Sequence, residues 1–360
     1  MTKTILNKFI SSSSALYLCL FIPFLLSFSK VQTDSISLKI DEPIEVSITL
    51  RINKIYNINS VNETYQIDGY LLYSWNDQSA KFLAKNEASK SIIYENESAR
   101  EIMASKLFIP SFELINVHGG EEVPDIRIQV YSDGLIELEK RFFGTFSANM
   151  DYKKFPFDTQ SYLVEIEPFS YGSKKIVFTN PKLFLEEGNN GYLGEDWEFI
   201  SSNKQVTVKQ YQYMDDDINS EKNMYSRVVF EVRAKRLSGY YQWQVLFPLL
   251  IIILASFAIF WVKEFSSQIS VGFTLMLTVV AFNFYSASIL PKLPYNTFIE
   301  YVIIVGYIFI FLGIIAVIAN NRINGIEDGK DKAPLLKYFR VGFPLLYIFI
   351  MMLLYVSLIV

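Results

Sequence analysis

Ser270, Thr274, Leu277, Ala281 and Phe284 follow one another at steps of four, three, four and three residues. A mean step of about 3.5 residues keeps all five on one narrow face of a helix. The stretch that carries them, Ser266 to Pro291, is long and apolar enough to cross a bilayer, for which about 20 residues suffice. These side chains offer no covalent chemistry. Hydroxyl oxygens can replace part of an ion's hydration shell, and a ring of aliphatic or aromatic groups can exclude water from a narrow passage. The same stripe also suits packing against a second helix, where small and hydroxyl residues gather. Periodicity alone leaves both readings open.

The rest of the chain is poor in reactive groups. Cys19 is the only cysteine and His118 the only histidine among 360 residues. P-loop, GxSxG, HExxH and paired-cysteine patterns are missing from the sequence, so no enzyme, cofactor or structural-metal motif is expected; Asp215-Asp216-Asp217 could gather a divalent cation but reads more simply as a solvated loop tip. A net charge of −4 gives no reason to expect nucleic acid. Hydrophobic residues make up 51% of the chain, more than a soluble domain usually carries, and the excess lies in the last third.

Elements must position the stripe, and the sequence divides clearly. Residues 1–30 read as a secretory signal: Lys3 and Lys8 give a basic start, Ala15–Phe28 an apolar centre, and Ser27 and Ser29 a small-residue cleavage site. Cys19 lies inside it, so the exported chain would hold no thiol, and burial alone would stabilise its outer domain. Residues 31–240 read as all-β. Ile44, Val46, Ile48, Leu50 and Ile52 alternate with polar neighbours; Tyr162, Val164 and Ile166 alternate with Ser161 and Glu165, and Val228, Phe230 and Val232 with Val229, Glu231 and Arg233. Asp133-Gly134 marks a hairpin, and the strand spacing predicts a sandwich.

Past Tyr240 the pattern changes. Four helices are expected at about 241–262, 269–290, 298–319 and 341–360, each able to span a membrane. The 320–340 connection carries Arg322, Lys330, Lys332, Lys337 and Arg340, which predicts that it is cytoplasmic and the β domain extracytoplasmic.

Within Asp151–Tyr162, DYKKFPFDTQSY, the core Phe155-Pro156-Phe157-Asp158-x-Gln160 resembles the signature loop of pentameric ligand-gated ion channels, the Cys-loop receptor superfamily. Ala148 and Tyr162 stand where animal members carry the flanking cysteines, which is the pattern of bacterial members. RINKIY, ELINV, EPFSY, FTLMLTVVAF and ILPKLPY extend the resemblance over nearly all of residues 40–360, and look most like the bacterial amine-activated channel of that superfamily.

The resemblance implies a homopentamer, with an immunoglobulin-like sandwich and four membrane helices in each subunit. It makes the stripe a pore lining, with Leu277 the central gate and Phe284 an outer constriction. The position where cation-selective members carry a glutamate reads Ser267, which leaves Glu264 as the nearest acid for selectivity, with Lys263 beside it. The agonist site would lie between subunits and draw on Glu113, Asn116, Glu167, Pro168, Phe169, Tyr225 and either Tyr211 or Tyr213. Aromatic faces beside a carboxylate suit a small ammonium. Arg51 stands on the complementary face where the amine-activated relative has an aromatic, and a guanidinium there would repel an amine. Asp158 and Arg236 match an acid–base pair at the domain junction. Pro156 of the signature loop, and Pro291 and Pro294 of the connector after the second helix, would pass movement to the pore.

The expected function is therefore a ligand-gated ion channel of a bacterial inner membrane. Monovalent cations are the expected permeant ions, and the agonist a small molecule, an amine among the candidates. The alternatives are a proton-gated channel of the same fold and a non-conducting solute sensor. Membrane lipid and four identical subunits are the expected partners.

Overall fold

The computed structural model describes residues 42–82, 90–105, 107–186, 193–212, 223–324 and 334–359. The leader region, Tyr213, most of the segment before Met224 and the basic residues Lys330 and Lys332 lie outside them. Eleven strands form among the described residues: β1 (Ile44–Asn59), β2 (Thr64–Asn76), β3 (Ser91–Glu95), β4 (Phe112–Leu114), β5 (Val117–Glu122), β6 (Ile126–Tyr131), β7 (Leu135–Ser147), β8 (Thr159–Pro168), β9 (Ile176–Leu185), β10 (Trp197–Gln210) and β11 (Met224–Arg236). One sheet runs β3-β6-β7-β2-β1-β9, with β5 added against β7; the other runs β10-β11-β8-β4. The pairing is antiparallel except between β1 and β9.

The alternation in the sequence becomes the inner faces of this sandwich. Val46, Ile48, Leu50 and Ile52 are buried from one sheet, and Val228, Phe230 and Val232 from the other. Asp133-Gly134 makes the β6–β7 hairpin, with Gly134 at φ +94°, where a Cβ would be strained. One short helix, α1 (Asn96–Ser105), interrupts the β pattern and adds Ala99 and Ile102 to the core. Tyr162, at a cysteine position of the animal signature loop, is a core residue instead. Its ring lies edge-on to Tyr65 at 4.9 Å and to Trp197 at 5.6 Å.

Four helical segments follow: α2 (Gly239–Phe260), α3 (Phe265–Ala287), α4 (Phe298–Asn324) and α5 (Pro334–Leu358). All four are long and apolar enough to cross a membrane. Within α2, Gln242–Leu246 forms a π-helical turn just before Pro248. Proline has no N–H to donate to the preceding turn, so a local change of winding there is expected. The second helix starts at Phe265 rather than near 269, because Glu264 has extended backbone geometry and acts as its N-cap. The fourth starts at Pro334, which suits a first helical turn.

Candidate functional site

The stripe is resolved by where α3 packs. Gln268, Gly272, Val279 and Ser286 are its buried positions and face the subunit's own helices. Ser270, Thr274, Leu277, Ala281 and Phe284 all lie on the exposed side, with Leu277 69% and Phe284 73% accessible. Packing within the subunit therefore does not use the stripe. The Thr274 hydroxyl donates to the Ser270 carbonyl at 2.8 Å, and Thr278 donates to Thr274 at 2.8 Å. With their protons turned to the backbone, these hydroxyls offer oxygen lone pairs outward.

Below the stripe, Glu264 caps α3. Its carboxylate accepts a hydrogen bond from Ser267 Oγ at 2.8 Å, and its carbonyl accepts the Gln268 N–H at 2.9 Å. Glu264 and Ser267 are thus bonded to each other. A carboxylate at a helix N-terminus is also favoured by the helix dipole.

A second constellation sits where β4, β8 and β11 meet. Glu167 is 2% accessible, and its carboxylate binds Arg227 Nε and accepts the Tyr211 hydroxyl at 2.9 Å. Arg227 also reaches Glu165 at 2.6 Å and the Tyr211 hydroxyl at 2.8 Å. Tyr225 packs edge-on to Tyr211 at 5.8 Å. Glu113 is the register partner of Glu167 across β4 and β8. Partial burial, then the Glu167 charge, pushes the Glu113 carboxyl above its ordinary pKa. Burial, then the hydrogen bond to Glu167, pushes the Tyr211 phenol up as well. Pro168 is buried and Phe169 exposed at the strand end.

Arg227 is the residue that sequence reasoning missed. Val228 pairs with Ile166 in the β11–β8 register, so the next step brings Arg227 opposite Glu167. Strand parity carried the signal, but only once the register was known. Asn116 joins the cluster differently. Its amide donates to the Leu163 carbonyl at 2.8 Å and accepts the Glu165 N–H at 3.1 Å, so it is bound to the β8 backbone. Arg51 belongs to the other sheet and stacks over Tyr70 at 4.2 Å. One chain therefore does not bring Arg51 to the Glu167 cluster. Beside Tyr70 lies an open cleft of about 300 Å³ that also involves Glu139 and Arg141.

The third constellation joins the sandwich to the helices. Asp158 and Arg236 form a bidentate pair at 2.9 and 3.1 Å, and both are buried. Gln160 donates to Asp158 at 2.6 Å, and Arg236 lies 4.3 Å over Trp197. Arg233 and Lys235 are exposed, as their parity in β11 requires. The signature loop, with Pro156 buried after a cis bond, touches the helix connector directly. Tyr152 N–H donates to the Tyr295 hydroxyl at 3.2 Å, and Phe298 N–H donates to the Lys153 carbonyl at 3.1 Å. Phe157 packs edge-on against Phe298 at 5.7 Å. Pro291 and Pro294 lie in the non-helical connector between α3 and α4.

A two-sheet sandwich tied through a proline-containing loop to four apolar helices defines a class of membrane receptor channel. The family profile described as neurotransmitter-gated ion-channel ligand binding domain matches residues 35–238, and the chain belongs to this family of ligand-gated ion channels, which are not enzymes. It is 22% identical over 308 residues to a proton-gated ion channel of Gloeobacter violaceus, covering 86% of this chain and 81% of the relative. It is 26% identical over 280 residues to gamma-aminobutyric acid receptor subunit beta-4 of Gallus gallus, covering 76% of this chain and 54% of the relative. The match to the human gamma-aminobutyric acid receptor subunit rho-3 is 22% identical, covering 80% of this chain and 60% of the relative. The chain thus spans little more than half the length of the receptor subunits it matches.

Proposed function

We propose that five copies of this chain form a homopentameric, cation-conducting channel in a bacterial inner membrane. The observation that carries this reading is the outward stripe on α3: polar at Ser270 and Thr274, apolar at Leu277, Ala281 and Phe284, and unused by the subunit's own packing. Around a five-fold axis the hydroxyls would meet ions in the inner half, and Leu277 and Phe284 would close the passage by dewetting. The lone pairs left outward by Thr274 favour cations, and Glu264 adds an acidic ring at the inner mouth.

Gating would be a population shift. An agonist moves the equilibrium only by its differential affinity for the two states. The agonist site is the Glu113, Glu167, Phe169, Tyr211 and Tyr225 region of one subunit, faced by Arg51 of the next. A small amine would find aromatic faces there, but Arg227 already occupies the Glu167 carboxylate. Protons are the second reading. Two carboxylates, Glu165 and Glu167, share the Arg227 guanidinium, and Glu113, the register partner of Glu167, is shifted toward the neutral form. Asp158, Arg236, Pro156, Pro291 and Pro294 would carry the change to α3.

Currents through the purified protein in planar bilayers test this reading. The panel should span small amines, carboxylates and pH, with reversal potentials taken in asymmetric salt. The expected result is a gated current reversing near the cation potential. An assembled protein that conducts under no condition would leave the solute-sensor alternative standing.

A further inference from the structure

The buried side of α3 holds a polar residue that the pore reading does not use. Gln268 is only 5% accessible, and it sits one helical turn before the buried Gly272. Its amide donates to two carbonyls of the preceding segment, Ile259 at 3.0 Å and Val262 at 2.8 Å. The Ile259 carbonyl lies in the last turn of α2, which leaves oxygens without intrahelical donors, and the Val262 carbonyl lies just past its end. The carbonyl between them in sequence, that of Phe260, accepts Arg340 Nε at 3.0 Å. The end of α2 is therefore capped by side chains from two other helices, α3 and α5.

The turn closed in this way, residues 261–264, is the one that ends in Glu264. The Gln268 side chain binds Ile259 and Val262 on one side of it, while the backbone N–H at 268 makes the first intrahelical bond, to the Glu264 carbonyl at 2.9 Å. Gly272 fixes the next turn at close range, since a Cβ there would meet Ile314 Cγ1 at 2.7 Å and Ile259 Cδ1 at 3.1 Å. The inner half of α3 is thereby pinned to α2 and α4 on the side opposite the stripe.

We infer that Gln268 is the positioning residue of the inner mouth: it holds the turn that places the Glu264 carboxylate, and so sets ion selectivity without touching an ion. The inference rests on the reading of Glu264 as the acidic ring of the pore. Buried amide-to-carbonyl bonds are costly to remove when the carbonyls stay behind, so loss of the donors should loosen the turn rather than leave it in place.

The test uses the full-length channel in planar bilayers, with reversal potentials in asymmetric salt. Gln268→Met keeps the volume and removes both donors. Gln268→Asn keeps an amide that is one methylene short. Each is measured alone and together with Glu264→Gln. The expected cation-to-anion permeability ratio falls roughly two- to threefold in Gln268→Met, with Asn between Gln and Met. Neither variant should lower the ratio further once Glu264→Gln is present, because the two changes act through one carboxylate. Equal effects with and without Glu264, or an unchanged ratio with altered gating alone, would overturn the inference. If Glu264→Gln alone leaves the reversal potential fixed, the acidic-ring reading fails, and the inference falls with it. Should the Met variant not assemble, the Asn variant in both backgrounds gives the same decision.

Discussion

Arg227 and Arg236 belong to one strand but lie an odd number of residues apart, so they point to opposite faces of β11. Arg236 points inward and meets a single carboxylate, Asp158, in a bidentate pair that Gln160 and the Trp197 ring complete. Every partner is supplied, and acid and base balance. Arg227 points outward at the other end and meets an excess of acid: Glu165 and Glu167 directly, with Glu113 across the strand pair. The first arrangement is built to keep one geometry between sandwich and membrane helices. Among the described residues, the second gathers more acid than base where another subunit and a ligand are proposed to arrive. The difference separates a structural joint from a responsive site more clearly than residue type does, since both are arginine–carboxylate clusters.

The largest expected effect follows from breaking the balanced pair. Asp158→Ala leaves a buried guanidinium unpaired, a change that costs about 3–5 kcal/mol. The thermal unfolding midpoint of the solubilised protein should fall sharply; an unchanged midpoint would refute the idea of a tightly balanced joint. Glu167→Gln should cost less, about 1–3 kcal/mol, because Arg227 keeps Glu165. Agonist or proton response should change more than stability does, as a dose–response series would show.

Glu113→Gln sharpens the comparison further. The Glu113 pKa is raised, so the folded protein binds that proton at a higher pH than an unfolded chain does. Protonation of Glu113 therefore adds stability fully present below the ordinary glutamate value and lost as pH rises through the raised one. The Gln variant should lack that part of the pH dependence, read as a flatter pH profile of the unfolding midpoint on the acid side. A pH profile identical to that of the unmodified protein would assign acid response to other groups. The smallest effect is expected at Glu264→Gln, a shift of reversal potential toward the anion value with stability untouched, because the side chain is exposed and bonded only to Ser267 among the contacts described.

Much of the frame was legible in the chain. Alternating residues such as Val46, Ile48 and Leu50 became the buried side of β1, and the apolar runs became four membrane-capable helices. The FPFD loop pointed to the family, and the spacing of Ser270 to Phe284 gave one helical face. What the residues could not say was which side of that helix faces its own bundle. That needed the packing of Gly272 and Val279. Nor could they reveal Arg227 against Glu167, because a cross-strand pair depends on register between segments far apart in sequence. Gln268 was invisible for a similar reason. A single glutamine in an apolar helix has no meaning until the carbonyls it reaches are known. Tyr213 and the leader lie outside the described residues.

The central claim is that the α3 stripe lines an ion pathway closed by Leu277, and single-channel recording of Leu277→Ser in a bilayer tests it most directly. A hydroxyl ring should hydrate the constriction and raise resting open probability by about tenfold or more, the equivalent of about 1.4 kcal/mol. Resting current equal to that of the unmodified channel, with gating otherwise intact, would show that Leu277 does not face the pathway.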